Sequence, residues 1–259
     1  MKKLNLILCF LILTRSCFAQ ETITITKDSA NFHTAYQVLK DKPEIKQGSY
    51  QVTRFFDYQP VTSGFYKNNL KDSLWQEFDS KANIIAEGRY KDGKKYGEWA
   101  YYDNIKTLIN TYNYTTNQLN YHRARQQDTA FRYRAIRQKD TIITKLDRAP
   151  IYLDGDAVMQ RYFAYHVKWP VEAVKKELVG TVVIGFIVDS DGRTHNYGVL
   201  QSIGYGCDEE AMRLIKQLPD TWLPGKLNGQ NVTVMMRLPM WFNFKTKTIT
   251  YPTRIIYLN

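Results

Sequence analysis

Chemically reactive side chains are few and scattered in this sequence of 259 residues. The four histidines are His33, His122, His166 and His195, and none stands at metal-ligand spacing from another histidine or from a cysteine. Zinc sites depend on such spacing. The sequence also lacks a Gly-x-Ser-x-Gly turn, a phosphate-binding glycine loop and a His-Glu-x-x-His helix. It therefore indicates a protein that is not an enzyme, and it predicts neither a cofactor nor a metal site.

A short acidic turn and one cysteine have residue types suited to binding or reactivity. Asp189 to Gly192 reads DSDG and resembles part of a calcium-binding loop, but the downstream bidentate glutamate is missing. A plain turn between two strands, with Gly192 at positive φ, is the favoured interpretation. Cys207 stands at the start of a predicted helix, where the pKa of a thiol falls. Because no base motif accompanies it, a packed small residue is the favoured alternative.

The first 19 residues have the pattern of a secretory signal peptide. Lys2 and Lys3 precede an apolar run from Leu4 to Leu13, and small residues lead up to Gln20. About ten apolar residues are too few to cross a bilayer, which takes roughly 20. We therefore expect an exported protein of the periplasm, with an uncleaved inner-membrane anchor that faces the periplasm as the alternative.

The chain is basic, with a formal net charge of +11. Loss of Lys2, Lys3 and Arg15 with the signal segment leaves 11 − 3 = +8. Such a surface suits an anionic envelope surface or an acidic partner, although a solubilising charge is the simpler interpretation. Because an exported protein rarely meets nucleic acid, no nucleic-acid binding is predicted.

A sequence repeat occupies the first half of the chain. The segments Gly64–Asp79 and Gly88–Asp103 align at a constant offset of 24 residues, with glycine, tyrosine, lysine, tryptophan and aspartate in register. A fixed period of this size indicates stacked supersecondary units, and Asp92-Gly93 supplies a tight turn in the second unit. Each unit is therefore predicted to be a β-hairpin whose aromatic residues form a core. Tyr114, a further 24 residues on, marks a decayed third copy.

These residues resemble MORN-like repeats, which serve as scaffolds or interaction surfaces, and the resemblance covers residues 48–118. Residues 20–47 are expected to form a short N-terminal segment. Residues 119–146 are rich in arginine and are predicted to be a basic linker, either solvated or containing a strand pair around Thr141–Thr144.

The second half predicts a domain of mixed helices and strands over residues 147–245, followed by a tail at 246–259. Helical spacing of apolar residues begins after Asp154 and again near Asp208, a residue that can cap the second of these helices. Alternating apolar residues predict a strand over 181–188, and its antiparallel partner follows the turn at Gly192.

The last predicted strand, Val232–Phe244, contains a proline. Its even-numbered residues are apolar without a break, so one face is committed to a core. Pro239 has no N–H, and proline within sheets is mostly confined to edges, ends and bulges. The odd-numbered side is therefore predicted to be an open edge to which an extended peptide adds as a strand. The predicted partner-binding residues are Val232, Thr233, Val234, Met235, Met236, Arg237 and Leu238.

The order helix–β–β–helix–β and several segments resemble the C-terminal domain of TonB-family energy transducers. The matching segments, in family order over residues 147–245, are APIYLDGDAV, WPVEAV, GTVVIGFIVDSDGR, GCDEEAMRLIKQLPDTWLPGKLNGQNV and LPMWFNF. This resemblance implies an α+β fold class, with a TonB-like C-terminal domain and its antiparallel sheet preceded by a MORN-like meander of β-hairpins. The family's motif positions map to Trp169, Pro170, Ser202 and Gly204.

The resemblance implies a non-enzymatic protein of the Gram-negative cell envelope. TonB-like domains pair an extended segment of an outer-membrane, TonB-dependent receptor alongside their last strand, and inner-membrane motor proteins power those that are anchored. A role as an energy transducer for transport is expected only if Leu4–Leu13 stays in the inner membrane. The alternative is a periplasmic structural or adaptor protein that binds the cell wall or forms a homodimer through the open edge.

Overall fold

The computed structural model describes residues 20–124, 131–137, 140–246 and 248–250. Within these ranges the chain forms two large antiparallel sheets, a two-stranded ribbon and three helices, which confirms the α+β class. The predicted signal segment and most of the predicted tail lie outside the described residues. No helix within the described ranges is long and apolar enough to cross a membrane.

The first sheet is a meander of nine antiparallel strands that follow one another in sequence order. The strands are β1 (Thr22–Asp28), β2 (Phe32–Leu39), β3 (Lys46–Arg54), β4 (Pro60–Lys67), β5 (Leu70–Phe78), β6 (Ile84–Lys91), β7 (Lys94–Tyr102), β8 (Leu108–Asn113) and β9 (Gln118–His122). Each strand pairs with its sequence neighbours, which is the stack of hairpins that the 24-residue repeat predicts.

The repeat determines how two tryptophans pack in this sheet. Trp75 and Trp99 are only 2% and 1% exposed. A Cβ added to Gly64 would lie 2.2 Å from the ring of Trp75, and one added to Gly88 would lie 2.3 Å from the ring of Trp99. Both indole N–H groups donate to backbone carbonyl oxygens, at 3.1 and 3.0 Å. The prediction that these aromatic residues form a core is therefore confirmed.

The sheet extends beyond the predicted repeat region of residues 48–118. Thr22–Asp28 alternates threonine with isoleucine, a pattern that favours a strand, and it pairs along its whole length with β2. Residues 20–47 therefore contribute β1, β2 and the start of β3 to the sheet, and β9 continues into the predicted linker. The resemblance to MORN-like repeats stays a prediction.

The second half of the chain forms the second sheet, the ribbon and the helices. The sheet strands are β10 (Tyr133–Arg137), β11 (Asp140–Thr144), β13 (Val179–Val188), β14 (Thr194–Gln201), β16 (Gly225–Leu227), β17 (Gln230–Asn243) and β18 (Thr248–Thr250). The ribbon is β12 (Ile151–Tyr152) with β15 (Trp222–Leu223), and the helices are α1 (Gly155–His166), α2 (Val171–Lys175) and α3 (Cys207–Gln217). The strand order is β11–β10–β17–β13–β14, with β16 and β18 also paired to β17.

One hydrophobic core lies between this sheet and the helices. The even-numbered residues of the segment Val232–Phe244 are each at most 7% exposed, which confirms the predicted buried face. They pack with Ile184 and Phe186 of β13 and with Leu214 of α3. Because each such side chain stabilises the fold by about 1.5–3 kcal/mol when buried, β17 is a major contributor to the stability of this half.

Helix α1 joins the two sheets through polar contacts that are largely buried. Lys95 of β7 donates to Asp154, just before α1, at 2.8 Å, and Arg161 of α1 forms an ion pair with Glu77 of β5. These four side chains are between 10% and 25% exposed. Charged groups at this depth require their partners, so the contacts hold the two sheets in one arrangement.

Candidate functional site

The strand β17 lies inside the second sheet rather than at its edge. On one flank it pairs with β13 through ten residue pairs. On the other flank β10 pairs with Thr233–Met235 and β18 with Trp241–Asn243, and β16 pairs with Gln230–Val232 at the start of the strand. The prediction of an open edge at Val232–Met235 is therefore wrong, because Thr233–Met235 already pair with β10 and Val232 with β16 within the chain.

A gap remains on the outer flank of β17 at Met236–Met240, where none of the described strands pairs with it. Pro239 lies in the gap and faces Val183 of β13. Because opposite residues in an antiparallel pair alternate between hydrogen-bonded and non-hydrogen-bonded positions, a proline without an N–H suits a non-hydrogen-bonded position against β13. The odd-numbered backbone groups then point outward, as predicted, but the open stretch contains only Met236, Arg237 and Leu238 of the predicted edge.

The strands that cover the outer flank come from segments predicted to be a linker and a tail. In β10 the side chains of Tyr133 and Ala135 are 1% and 0% exposed, whereas that of Arg134 is exposed. This is the two-residue alternation of a strand, and it is hidden in the sequence by the surrounding arginines. The strand pair expected around Thr141–Thr144 is confirmed as β10 and β11.

A groove of about 680 Å³ borders the gap on the outer face of the sheet. Met235, Leu200 and Ile143 line it and are 40%, 53% and 57% exposed. Arg237 lines the same groove, and its Nε is buried without a hydrogen-bond partner in the part of the chain that the structure describes. A buried donor without an acceptor costs about 1–3 kcal/mol. The groove therefore combines apolar contact with a donor for a carbonyl or carboxylate oxygen.

Trp169 and Pro170 of the family motif lie on the core side of the sheet. The ring of Trp169 packs edge to face on Phe244, with centroids 4.8 Å apart. Pro170 precedes α2 and lies so close to Gly206 that a Cβ added there would be 2.9 Å from the Cβ of Pro170. Neither residue lines the groove, so both act by fixing the junction between the helices and β17.

Ser202 and Gly204 belong to the turn before α3 and are held by Asp208. The Asp208 carboxylate accepts hydrogen bonds from the Ser202 hydroxyl, from the Ile203 N–H at 3.1 Å and from the Gly204 N–H at 3.4 Å. The residue at the N-cap of α3 is Gly206, with φ of 83°. The prediction that Asp208 caps this helix is therefore wrong, because its side chain binds the preceding turn instead of the helix N–H groups.

Cys207 is fully buried in the first turn of α3. Burial, together with the nearby carboxylates of Asp208 and Glu209, raises the pKa of its thiol to about 11. The alternative of a reactive thiol does not fit this environment, and the interpretation as a packed small residue is confirmed.

Native Cys207 is expected to resist thiol reagents. At pH 8 a thiol with a pKa of about 11 carries about 0.1% thiolate, whereas an ordinary thiol with a pKa near 8.5 carries about a quarter. In a chain that begins at Gln20, reaction with Ellman's reagent should therefore be at least about 100-fold slower than that of free cysteine. The same sample unfolded in guanidinium serves as the control, and native labelling at the free-thiol rate would contradict the buried placement.

The described residues contain no cluster of three or more histidine, cysteine or acidic side chains that could hold a metal ion. His33 instead contacts Asp28 at 2.5 Å, and His166 stacks on Tyr162 with ring centroids 4.2 Å apart. These two histidines thus have local packing and hydrogen-bonding roles.

Residues 165–244 match the family model described as the Gram-negative bacterial TonB protein C-terminal. The match begins near the end of α1 and extends through β17, so it includes both the groove-lining strands β13 and β14 and the motif positions. The second half of the chain therefore contains a TonB C-terminal domain. No protein with a curated description matches the chain.

Two solved structures of TarM show a partial likeness to this chain. A crystal structure of TarM is 11% identical, with 57% of this chain and 24% of that chain covered and a TM-score of 0.23. A mutant of S. aureus TarM in complex with fondaparinux, alpha-GlcNAc-glycerol and UDP is 12% identical, with the same coverage and the same TM-score. A likeness at this TM-score carries no argument about fold or function.

Proposed function

We propose that this protein, whose residues 165–244 belong to the TonB C-terminal family, is a non-enzymatic cell-envelope protein that binds an extended segment of an outer-membrane receptor against β17. The segment takes the place that β10 holds in the unbound chain. The observation that carries this proposal is the family match over β17, a strand whose outer flank is covered only by the short strands β10 and β18 among the described residues.

The asymmetry of the two flanks supports displacement of β10. The pairing of β17 with β13 runs through ten residue pairs, whereas its pairing with β10 has three, from Arg134 with Met235 to Ile136 with Thr233. A net contribution of about 1 kcal/mol for each backbone hydrogen bond makes the β10 contact far weaker than the β13 contact. A receptor segment that enters at the gap at Met236–Met240 can therefore extend along β17 by replacing β10.

The groove predicts the chemistry of that segment. Its apolar walls favour alternate apolar side chains, because strand addition gives affinity through the backbone and specificity through side-chain pockets. The Arg237 guanidinium favours an acidic residue that projects toward the gap. An acidic segment also suits the basic charge of this chain, because attraction between opposite charges speeds the association of two proteins.

Coupling to an inner-membrane motor, and hence energy transduction for transport, belongs to this proposal only if Leu4–Leu13 anchors the protein in the inner membrane. Without an anchor the chain acts in the periplasm as a receptor-binding protein. A structural or adaptor role is the second candidate function. It is favoured by the end strands of both sheets, β1 and β9 in the first and β11 and β14 in the second, which are available for pairing with a second copy.

Weakening the β10 contact is expected to strengthen receptor binding. Arg134→Pro replaces the arginine side chain with a ring and removes the backbone N–H of the residue opposite Met235, whereas the matched control Arg134→Ala removes the arginine side chain alone. Overlapping peptides from the periplasmic segment of a candidate receptor should bind the proline variant at least about tenfold more tightly than the alanine variant. The reason is that β10 is detached from β17 in a larger fraction of the proline variant, which leaves the edge of β17 open to the peptide. Isothermal titration calorimetry on the full chain measures this ratio.

Four outcomes separate the candidates. Tighter binding by the proline variant supports displacement of β10. Equal affinity of the two variants contradicts displacement, and no binding by either one contradicts receptor recognition. Concentration-dependent dimerisation in sedimentation velocity, together with no peptide binding, favours the structural or adaptor role.

A further inference from the structure

A row of lysines crosses the aromatic face of the first sheet. Lys46, Lys71 and Lys95 follow one another at spacings of 25 and 24 residues. The ammonium of Lys46 lies 4.9 Å from the ring centre of Tyr66, and that of Lys95 lies 4.6 Å from the ring centre of Trp99. Cation–π contacts of this kind hold each lysine over the aromatic core.

Lys71 differs from Lys95 in lacking an acidic partner. The Lys95 ammonium donates to Asp154 at 2.8 Å. The Lys71 ammonium lies 4.1 Å from the ring centre of Trp75 and 5.0 Å from that of Tyr90, and it makes no ion pair or hydrogen bond to any residue that the structure describes. Three N–H donors on a half-buried cation are thus available to an anion.

The electrostatic surroundings of Lys71 also favour an added anion. Burial lowers the pKa of this lysine, and the positive charges of Lys95 and Arg161 lower it further. The negative charge of Glu77 raises the pKa of Lys71, but the Glu77 carboxylate is already paired with Arg161. An anion beside Lys71 would therefore offset both the desolvation and the repulsion.

Lys71 faces a cleft of about 580 Å³ between the first sheet and helix α1. Much of the lining is apolar, with Phe32, Val61 and Val158 among the walls. The hydroxyl of Tyr152, a residue 6% exposed, also borders the cleft and is buried without a hydrogen-bond partner of normal geometry in the described parts of the chain. This second unused polar group indicates that the cleft accommodates a ligand with more than one polar atom.

We infer that this cleft is a binding site for a ring compound that bears one carboxylate. The carboxylate binds the Lys71 ammonium, and the ring packs between Tyr90 and the wall formed by α1. A single negative charge fits better than two, because the carboxylates of Glu77 and Asp154 also line the cleft and like charges nearby are unfavourable. The site is independent of strand pairing on β17.

Two acids and their neutral analogues test the site and distinguish a sugar acid from an aromatic acid. N-acetylmuramic acid is compared with N-acetylglucosamine, and phenylacetate is compared with phenylacetamide. Quenching of tryptophan fluorescence in the full chain reports binding, because Trp75 lies directly beneath Lys71. At least one acid should bind, and its neutral analogue should bind at least about tenfold more weakly, as expected for a charge-assisted hydrogen bond.

Two substitutions assign the effect to Lys71. Lys71→Met should weaken binding of the acid at least about tenfold, and Lys71→Arg should retain most of it. Lys67→Met, at an exposed position on β4, is the control for loss of one positive charge. Circular dichroism and the melting temperature verify that each variant is folded. Failure of both acids to bind, or equal binding by the Lys71→Met and Lys67→Met variants, would overturn the proposal.

Discussion

Replacing Gly88 with alanine should destabilise the protein by about 3 kcal/mol, because the new methyl group has no room. The added Cβ would lie 2.3 Å from the ring of Trp99. That ring is 1% exposed, and its N–H is committed to a backbone carbonyl oxygen at 3.0 Å. The tryptophan must therefore leave its position or the strands must separate. Urea unfolding followed by tryptophan fluorescence measures the loss in the free energy of unfolding.

Gly198→Ala is the matched control for this substitution. Gly198 also lies in a strand, β14, but an added Cβ there meets nothing within 4 Å. The change in the free energy of unfolding should stay within about 0.5 kcal/mol. Equal losses for the two variants would show that the Gly88 position is not determined by close approach to Trp99.

Replacing Lys95 with methionine should also cost about 3 kcal/mol, because it leaves the carboxylate of Asp154 buried without its cation. Asp154 is 10% exposed in its side chain, and Lys95 also contacts the hydroxyls of Tyr101 and Tyr114 at 2.9 and 3.3 Å. Burial alone would lower the pKa of Lys95, but the attraction of Asp154 raises it overall. The lysine is therefore charged at neutral pH, and the lost ion pair is the main effect of the substitution.

Lys40→Met provides the comparison, since Lys40 pairs with Glu21 at 2.7 Å but both side chains are more than 60% exposed. An exposed ion pair contributes at most about 1 kcal/mol. A double variant, Lys95→Met with Asp154→Asn, should recover part of the loss by removing the unpaired charge. If Lys95→Met and Lys40→Met had the same effect on urea unfolding, the ion pair would not join the two sheets as the structure indicates.

The elements with strict hydrophobic periodicity are predictable from the sequence. The even-numbered residues of Val232–Phe244 show a buried face directly, and the repeat of glycine and tryptophan shows a stack of hairpins. Both signals are local, because residues two apart share a face and repeated units have repeated contacts. The helix over 154–167 is predictable for the same reason, and it is present as α1.

The contacts made by the arginine-rich segment and the tail were not predictable by the same means. β10 pairs with β17 across about a hundred residues of sequence, and β18 pairs with β17 across about five. The hydrophobic period of a strand shows which of its faces is buried, but it does not show which strand is its partner. The arginines at 132, 134 and 137 favour an interpretation as solvated linker, although Tyr133 and Ala135 alternate with them. Pro239 therefore indicates that the outer flank of β17 is open, but the gap lies at Met236–Met240 and shares only Met236, Arg237 and Leu238 with the predicted edge.

Charged residues that join the two sheets were also missed, for a physical reason. Arg161 and Lys95 lie in segments whose apolar residues define the buried face, so their charges indicate a solvated face. In the structure these charges are paired across the interface with Glu77 and Asp154. Only the three-dimensional arrangement shows that the polar face of α1 is covered.

The most direct test of receptor binding on β17 is a disulfide that locks β10 in place. Ala135 and Val234 lie directly opposite each other on the two strands, so the double variant Ala135→Cys with Val234→Cys can be oxidised to a cross-link between them. Binding of the receptor segment is measured by calorimetry on the oxidised chain and again after reduction. Binding is expected only after reduction, whereas equal affinity in both states would contradict the displacement of β10 by a receptor segment.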